Sequence, residues 1–161
     1  MEPDIKKILV PIDFSDYSKS ALKYAINFSK NFNSEIILVY VIEPAIYPPD
    51  FSMGQIAIPS VDTEMDKRAA EELETLSKKE LPPDMKHKTI IKSGKPFIEI
   101  IDTAVEEDVD LIVMATHGHT GVEHILFGST AEKVVRKAPC PVLTIRDPIK
   151  GFSYKEELKK S

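Results

Sequence analysis

Residues Leu111 to Thr130, LIVMATHGHTGVEHILFGST, concentrate the groups in this chain that could do chemistry. An apolar run stops at Ala115-Thr116-His117-Gly118. After nine intervening residues come Gly128, Ser129 and Thr130, where a helical pattern begins. Glycine has no Cβ, so main-chain N–H groups can approach a bound anion closely. A helix start adds unpaired N–H donors and a partial positive charge. Strand, glycine loop and helix start, in that order, predict a phosphate cradle. Amide hydrogens around residues 118 and 128 would then hold the phosphates of a nucleotide.

Other residues compete for a role. Ser129-Thr130-Ala131-Glu132 matches a capping box, in which Ser129 caps its helix and Glu132 reciprocates. That alone does not account for Gly118, and phosphate binding can coexist with capping. Asp13 suits a turn or an N-cap, but also a ligand contact at the carboxyl end of the first strand. Val41 and Met114 are apolar strand ends that fit plain core or contact with a base. The spacing of His117, His119 and His124 matches no zinc pattern, and no cysteine or fixed carboxylate completes a set, so no structural metal site is expected. Gly94-Lys95 lacks the first glycine of a Walker loop and is followed by Pro96, so it reads as a helix start. His117-Gly118-His119 follows a fourth strand, whereas the nucleotidyl-transfer signature follows a first. No G-x-G-x-x-G fingerprint supports a dehydrogenase. Cys140, between Pro139 and Pro141, reads as a packed turn residue.

Positioning these groups takes a folded core. At 161 residues, one compact domain is expected. The 42% apolar and 29% charged content is that of a globular protein. A net charge of −5 without basic blocks argues against nucleic acid. A single cysteine excludes an intrachain disulfide. The first residues lack a signal h-region, and apolar runs such as Ile36 to Ile42 are too short to span a membrane, so a cytoplasmic protein is expected.

Ile8 to Ile12 and Ile36 to Val41 read as buried strands, continuous rather than alternating in polarity. Between them Ser15 caps a helix, with Asp16 in its first turn and Ala21, Ala25, Phe28 and Phe32 on one stripe. Proline-rich Pro44 to Asp62 reads as a long surface loop. Met65, Ala69, Leu73 and Leu76 mark a second helix that ends before Pro82-Pro83. Lys88 to Lys92 is a third strand, and Pro96 starts a helix with a stripe of Phe97, Ile100, Ile101 and Ala104. Leu111 to Met114 is the fourth strand. Ala131, Val134, Val135 and Ala138 form the buried side of the last helix, and Val142 to Ile145 is a fifth strand. Alternating strands and helices predict one α/β domain, a doubly wound, five-stranded and mostly parallel sheet with helices on both faces. Ligands of such sheets bind where the strand order reverses. If the first and fourth strands are neighbours there, Asp13 faces the glycine loop and Val41 closes a third side.

These segments resemble the universal stress protein family over Ile5 to Arg146. The ATP-binding branch of that family carries glycine, two residues, glycine, nine residues, glycine, then serine or threonine. Here the pattern reads Ala115-Thr116-His117-Gly118, nine residues, Gly128-Ser129. The opening Val-Pro-Ile-Asp-Phe-Ser and the closing Ala-Glu-Lys-Val-Val-Arg-Lys-Ala-Pro-Cys-Pro-Val-Leu resemble the family as well. The resemblance implies a Rossmann-like fold of the adenine nucleotide alpha hydrolase kind, spanning 1–146, with 147–161 as a tail. It implies that Asp13 meets ribose or a metal-bridged phosphate, and that Pro11, Ile12 and Val41 contact adenine. Met114 and Ala115 would line the approach, and Gly118, Gly128, Ser129 and Thr130 would hold phosphates. The ligand would be ATP, or AMP or ADP, with Mg²⁺ or Mn²⁺.

Three departures stand out. Ala115 replaces the first glycine, a change of one methyl that nucleotide binding is expected to survive. His119 stands where the family often has a cation, which suggests a pH-sensitive phosphate contact. The tail, with Phe152, Tyr154 and Leu158, extends past the usual family end and suits either a partner subunit or a mobile segment. The resemblance further implies a homodimer, through the last strand Val142, Leu143, Thr144 and Ile145, whose uncovered edge invites pairing. The expected function is an ATP-dependent switch or sensor in stress physiology acting on an unknown protein partner. A slow Mg²⁺-dependent ATP hydrolase and a dimerisation module without ligand are the alternatives.

Overall fold

The structure, a computed structural model, describes residues 3–44, 59–118 and 127–146, and for 59–62 the main chain alone. Five strands form one sheet: β1 (Lys7–Pro11), β2 (Glu35–Ile42), β3 (His87–Ser93), β4 (Leu111–Ala115) and β5 (Val142–Ile145). Four helices alternate with them: α1 (Asp16–Phe32), α2 (Pro59–Glu80), α3 (Pro96–Glu106) and α4 (Ser129–Lys137). The spatial order is β3-β2-β1-β4-β5, and every pairing is parallel. The chain winds outward from β1 to β3, then returns to the other side of β1 for β4. The reversal therefore lies between β1 and β4, as the sequence argument requires.

Strand periodicity explains why the apolar runs are continuous. Ile8, Val10, Ile36, Leu38, Leu111 and Val113 face a core closed by Ala21, Leu22 and Ala25 of α1 and by Leu73 and Leu76 of α2. Their neighbours Leu9, Ile37, Val39, Ile112 and Met114 face the opposite core, closed by Ile100 and Ala104 of α3 and by Ala131 and Val134 of α4. Both faces are covered, so strand residues on either side must be apolar.

Helix ends follow their local signals. Ser15 caps α1 through a bond from Ser18 N–H, with Asp16 in the first turn. Asn33 closes the same helix in the left-handed conformation. Pro96 opens α3 after Lys95, confirming the Gly94-Lys95 segment as a helix start.

Three expectations are corrected. The span Pro44 to Asp62 is not loop throughout, because α2 begins at Pro59. Proline loses nothing at a helix start, where its missing N–H has no intrahelical partner; residues 45–58 lie outside the described residues. Phe32 is 44% exposed, and Ser29 takes the inward place instead, its hydroxyl donating to Ser34 O at 2.7 Å. Val135 is 46% exposed because the sheet receives Ala131 and Val134, one turn apart, and Val135 points a further 100° or so round the helix.

Candidate functional site

Above the β1/β4 reversal lies a cleft of about 600 Å³, well within the range of small-ligand sites. Pro11, Ile12, Asp13, Val41, Met114, Ala115, Gly118, Gly128, Ser129 and Thr130 all line it. These are the sequence-derived site residues apart from His119, which lies outside the described residues. The ends of three strands thus converge on one cavity.

The turn after β1 sets the position of Asp13. Phe14 has φ 63°, in the left-handed region, a conformation that costs a bulky residue about 1–3 kcal/mol. The turn is held by bonds on either side of it. Asp13 Oδ1 accepts from Ser15 N–H at 3.0 Å and from the Ser15 hydroxyl, while the Phe14 ring lies 4.9 Å from that of Tyr40.

Gly118 closes against the other carboxylate oxygen. A Cβ on residue 118 would stand 2.7 Å from Asp13 Oδ2. No real side chain tolerates that contact, and the carboxylate cannot easily turn away because Ser15 holds Oδ1. Gly128 meets a comparable constraint, since its Cβ would lie 3.1 Å from Thr116 O.

Two details depart from expectation. The Gly128 N–H donates to Thr116 O at 2.7 Å, tying the ends of the intervening loop together. That amide is thereby committed to the loop rather than presented as a phosphate donor. The capping box also does not form. Gly128 itself is the N-cap, with no side-chain capping bond, and Ser129 is the first helical residue. Glu132 instead pairs with Arg136 at 3.1 Å. The first turn of α4 therefore turns toward the cleft without a side-chain cap, with Ser129 and Thr130 on the cavity wall.

Asp13, Glu43 and His117 are the ionisable acids and bases on the described lining besides the Tyr40 phenol, and no lysine or arginine is among them. Thr116 Oγ1 and His117 Nδ1 are hydrogen-bonded at 2.9 Å, and the His117 ring lies 5.8 Å from Tyr17. Sequence reasoning placed His117 in a failed metal cluster and a rejected nucleotidyl-transfer signature, and gave it no site role. Its place just before Gly118 at the end of β4 was the signal for cleft membership. It also missed Phe14, Ser18, Tyr40 and Met65, which reach the cleft from outside the glycine motif. Among the described residues no three histidine, cysteine or carboxylate side chains gather to hold a metal alone.

Cys140 stands apart from the cleft, packed against the core on the α3/α4 side. Burial pushes its thiol up, the Asp110 carboxylate adds to this, and the Ile112 main chain opposes it. A raised thiol is a poorer nucleophile. No described helix is long and apolar enough to cross a membrane.

Fold and cleft together define a doubly wound α/β protein with a cavity at its switch point. The model of the Universal stress protein family matches residues 4–146. The chain belongs to the universal stress protein family. It is 37% identical over 145 residues to universal stress protein MJ0531 of Methanocaldococcus jannaschii, covering 90% of this chain and 84% of that protein. The solved structure of protein MJ0577, from the same organism, superposes with a TM-score of 0.72 at 34% identity, covering 90% of this chain and 98% of that one. A more distant neighbour, the universal stress protein from Archaeoglobus fulgidus in complex with dAMP, has a TM-score of 0.60 at 21% identity, covering 89% and 99% of the two chains. At that identity it speaks to the fold.

Proposed function

We propose that this chain binds ATP in the β1/β4 cleft and acts in the cytoplasm as a nucleotide-dependent, dimeric switch in stress physiology. One observation carries the reading: the Asp13 carboxylate, Gly118 and the first turn of α4 meet in a single cavity. The main-chain N–H groups of Ser129 and Thr130 belong to that first turn, where no intrahelical acceptor exists, so they suit an anion. The family's adenylate chemistry agrees, since at least one member of the fold is solved with dAMP.

The described lining fits a nucleotide carried with a divalent cation. Phosphate charge meets no lysine or arginine there, so helix amides and a cation are left to balance it. Asp13 supplies the oxygen ligand such a cation prefers. When bound, Mg²⁺ or Mn²⁺ would neutralise the phosphates. Pro11, Ile12 and Val41 would meet the base from the strand ends.

Self-association through β5 belongs to the same proposal. The strand pairs with β4 and stands at the sheet's edge. A second reading, slow Mg²⁺-dependent hydrolysis, is favoured by His117, a proton acceptor on the same lining as Asp13 and Ser129.

Calorimetry with ATP and Mg²⁺ or Mn²⁺ on the purified protein tests binding directly. Heat that saturates at one ligand per chain supports the proposal. No heat and no rise in melting temperature at millimolar ligand would end it. Steady phosphate release that disappears in Asp13→Ala while binding persists would favour the hydrolase.

A further inference from the structure

Asp13 is held from behind by a serine network at the start of α1. Ser15 is only 7% exposed and is not part of the cleft wall. Its main-chain N–H donates to Asp13 Oδ1 at 3.0 Å, and its hydroxyl donates to the same oxygen. The hydroxyl oxygen also accepts from Ser18 N–H at 3.2 Å, the bond that caps α1. Ser18 completes the ring. Its hydroxyl donates to Ser15 O at 3.0 Å, and Asp13 N–H reaches Ser18 Oγ at 3.4 Å.

A serine hydroxyl has one proton and two lone pairs, so it can give its proton to Asp13 while accepting from Ser18. Capping requires only the acceptor. The proton is spent on the carboxylate, and bonds of that kind, to a charged acceptor, are the strong ones. The left-handed turn at Phe14 brings Ser15 back beneath Asp13. With Oδ1 clamped, Oδ2 is directed at the narrow gap beside Gly118.

On the adenylate reading of the cleft, we infer that Ser15 is a positioning residue, fixing the Asp13 carboxylate in the rotamer that presents Oδ2 to the ligand beside Gly118. Ser15 touches no ligand itself. It makes the start of α1 and the orientation of Asp13 parts of one device, so that whatever Oδ2 binds is coupled to the helix.

The experiment separates capping from orienting. ATP affinity in Mg²⁺ and melting temperature are measured for the parent protein, Ser15→Thr, Ser15→Ala, Ser15→Asp, Asp13→Ala and Asp13→Ala/Ser15→Ala. Threonine keeps the hydroxyl and caps well, so binding stays within about twofold of the parent if the hydroxyl is what matters. Alanine removes it and weakens ATP by about tenfold, the loss expected for one charge-assisted hydrogen bond. Aspartate still caps α1 but offers Asp13 no proton and adds a second negative charge. It therefore melts above Ser15→Ala yet binds ATP no better. In the Asp13→Ala background, losing Ser15 costs no further affinity.

Parent-like ATP binding by Ser15→Ala or Ser15→Asp overturns the inference and leaves Ser15 a helix cap. If the parent itself fails to bind ATP, the nucleotide reading falls, and the clamp is judged from the melting temperatures alone. A double variant that loses less than the sum of the single losses supports the Asp13–Ser15 contact. Strict additivity refutes it.

Discussion

Gly118 sits against Asp13 so closely that any side chain at position 118 would collide with Oδ2, its Cβ standing 2.7 Å away. One residue follows β4 and the other follows β1, and parallel pairing of those strands brings their ends together. Ile8 pairs with Leu111 and Leu9 with Ile112, so the register itself places the carboxylate across from the glycine.

Gly118→Val should abolish ATP binding. The branched side chain would push the Asp13 carboxylate off its clamp or fill the space beside it. Equilibrium dialysis with labelled ATP, alongside a melting curve to show that the variant is folded, reads the effect. Retention equal to the parent would mean that the ligand does not use this gap.

Asp13→Asn should remove the advantage of Mg²⁺. Asparagine keeps the size of the side chain but loses the charge that attracts a divalent cation. The ratio of ATP affinity in Mg²⁺ to that in EDTA is expected to fall toward one. An unchanged ratio would place the cation elsewhere.

Adjacent valines of α4 should behave oppositely. Val134 is fully buried, and Val134→Ala is expected to cost about 2 kcal/mol through lost contact and a residual cavity. Val135 is 46% exposed, and Val135→Ala should stay within about 0.5 kcal/mol. Urea denaturation of both variants checks the contrast.

Thr144→Pro should impair self-association while sparing the fold. The carbonyls of Pro141 and Ile145 accept bonds from Ile112 and Thr116, so they point toward β4. By the two-residue period of a strand, the N–H of Thr144 points away from β4. Proline there removes an outward donor alone. Sedimentation velocity is expected to show a shift toward monomer; an unaltered dimer would assign the contact to another surface.

Alkylation of Cys140 should lag behind that of a free cysteine at mildly alkaline pH. The folded thiol is raised above its ordinary value, chiefly by burial. Folding therefore holds the proton that the unfolded chain releases first. The stabilising contribution is complete below the ordinary thiol range and is lost as pH rises through and above it. Iodoacetamide kinetics against a cysteine peptide, and alkaline melting curves against Cys140→Ser, read the two consequences.

The repeated strands and helices were legible because a doubly covered parallel sheet requires apolar runs such as Ile8-Leu9-Val10 and Ile36-Ile37-Leu38-Val39. Ser15 and Pro96 marked helix ends because their effects are local. The start of α2 was less legible, since Pro59 belongs equally to a proline-rich loop and to the first position of a helix. Phe32 and Val135 fit apolar stripes in sequence, yet which side of a helix meets the sheet depends on how that helix docks.

The order of residues alone settled the alternation of elements, the two turns that bear Asp13 and the glycines, and the pattern joining Gly118 to Gly128. These follow from local backbone preference and from periodicity. Only the assembled sheet decided that β1 lies beside β4, that Gly128 spends its amide on Thr116, and that Ser15 grips one oxygen of Asp13 while Gly118 crowds the other. Such contacts join atoms distant along the chain or depend on side-chain direction, and no local propensity encodes a distance across a fold.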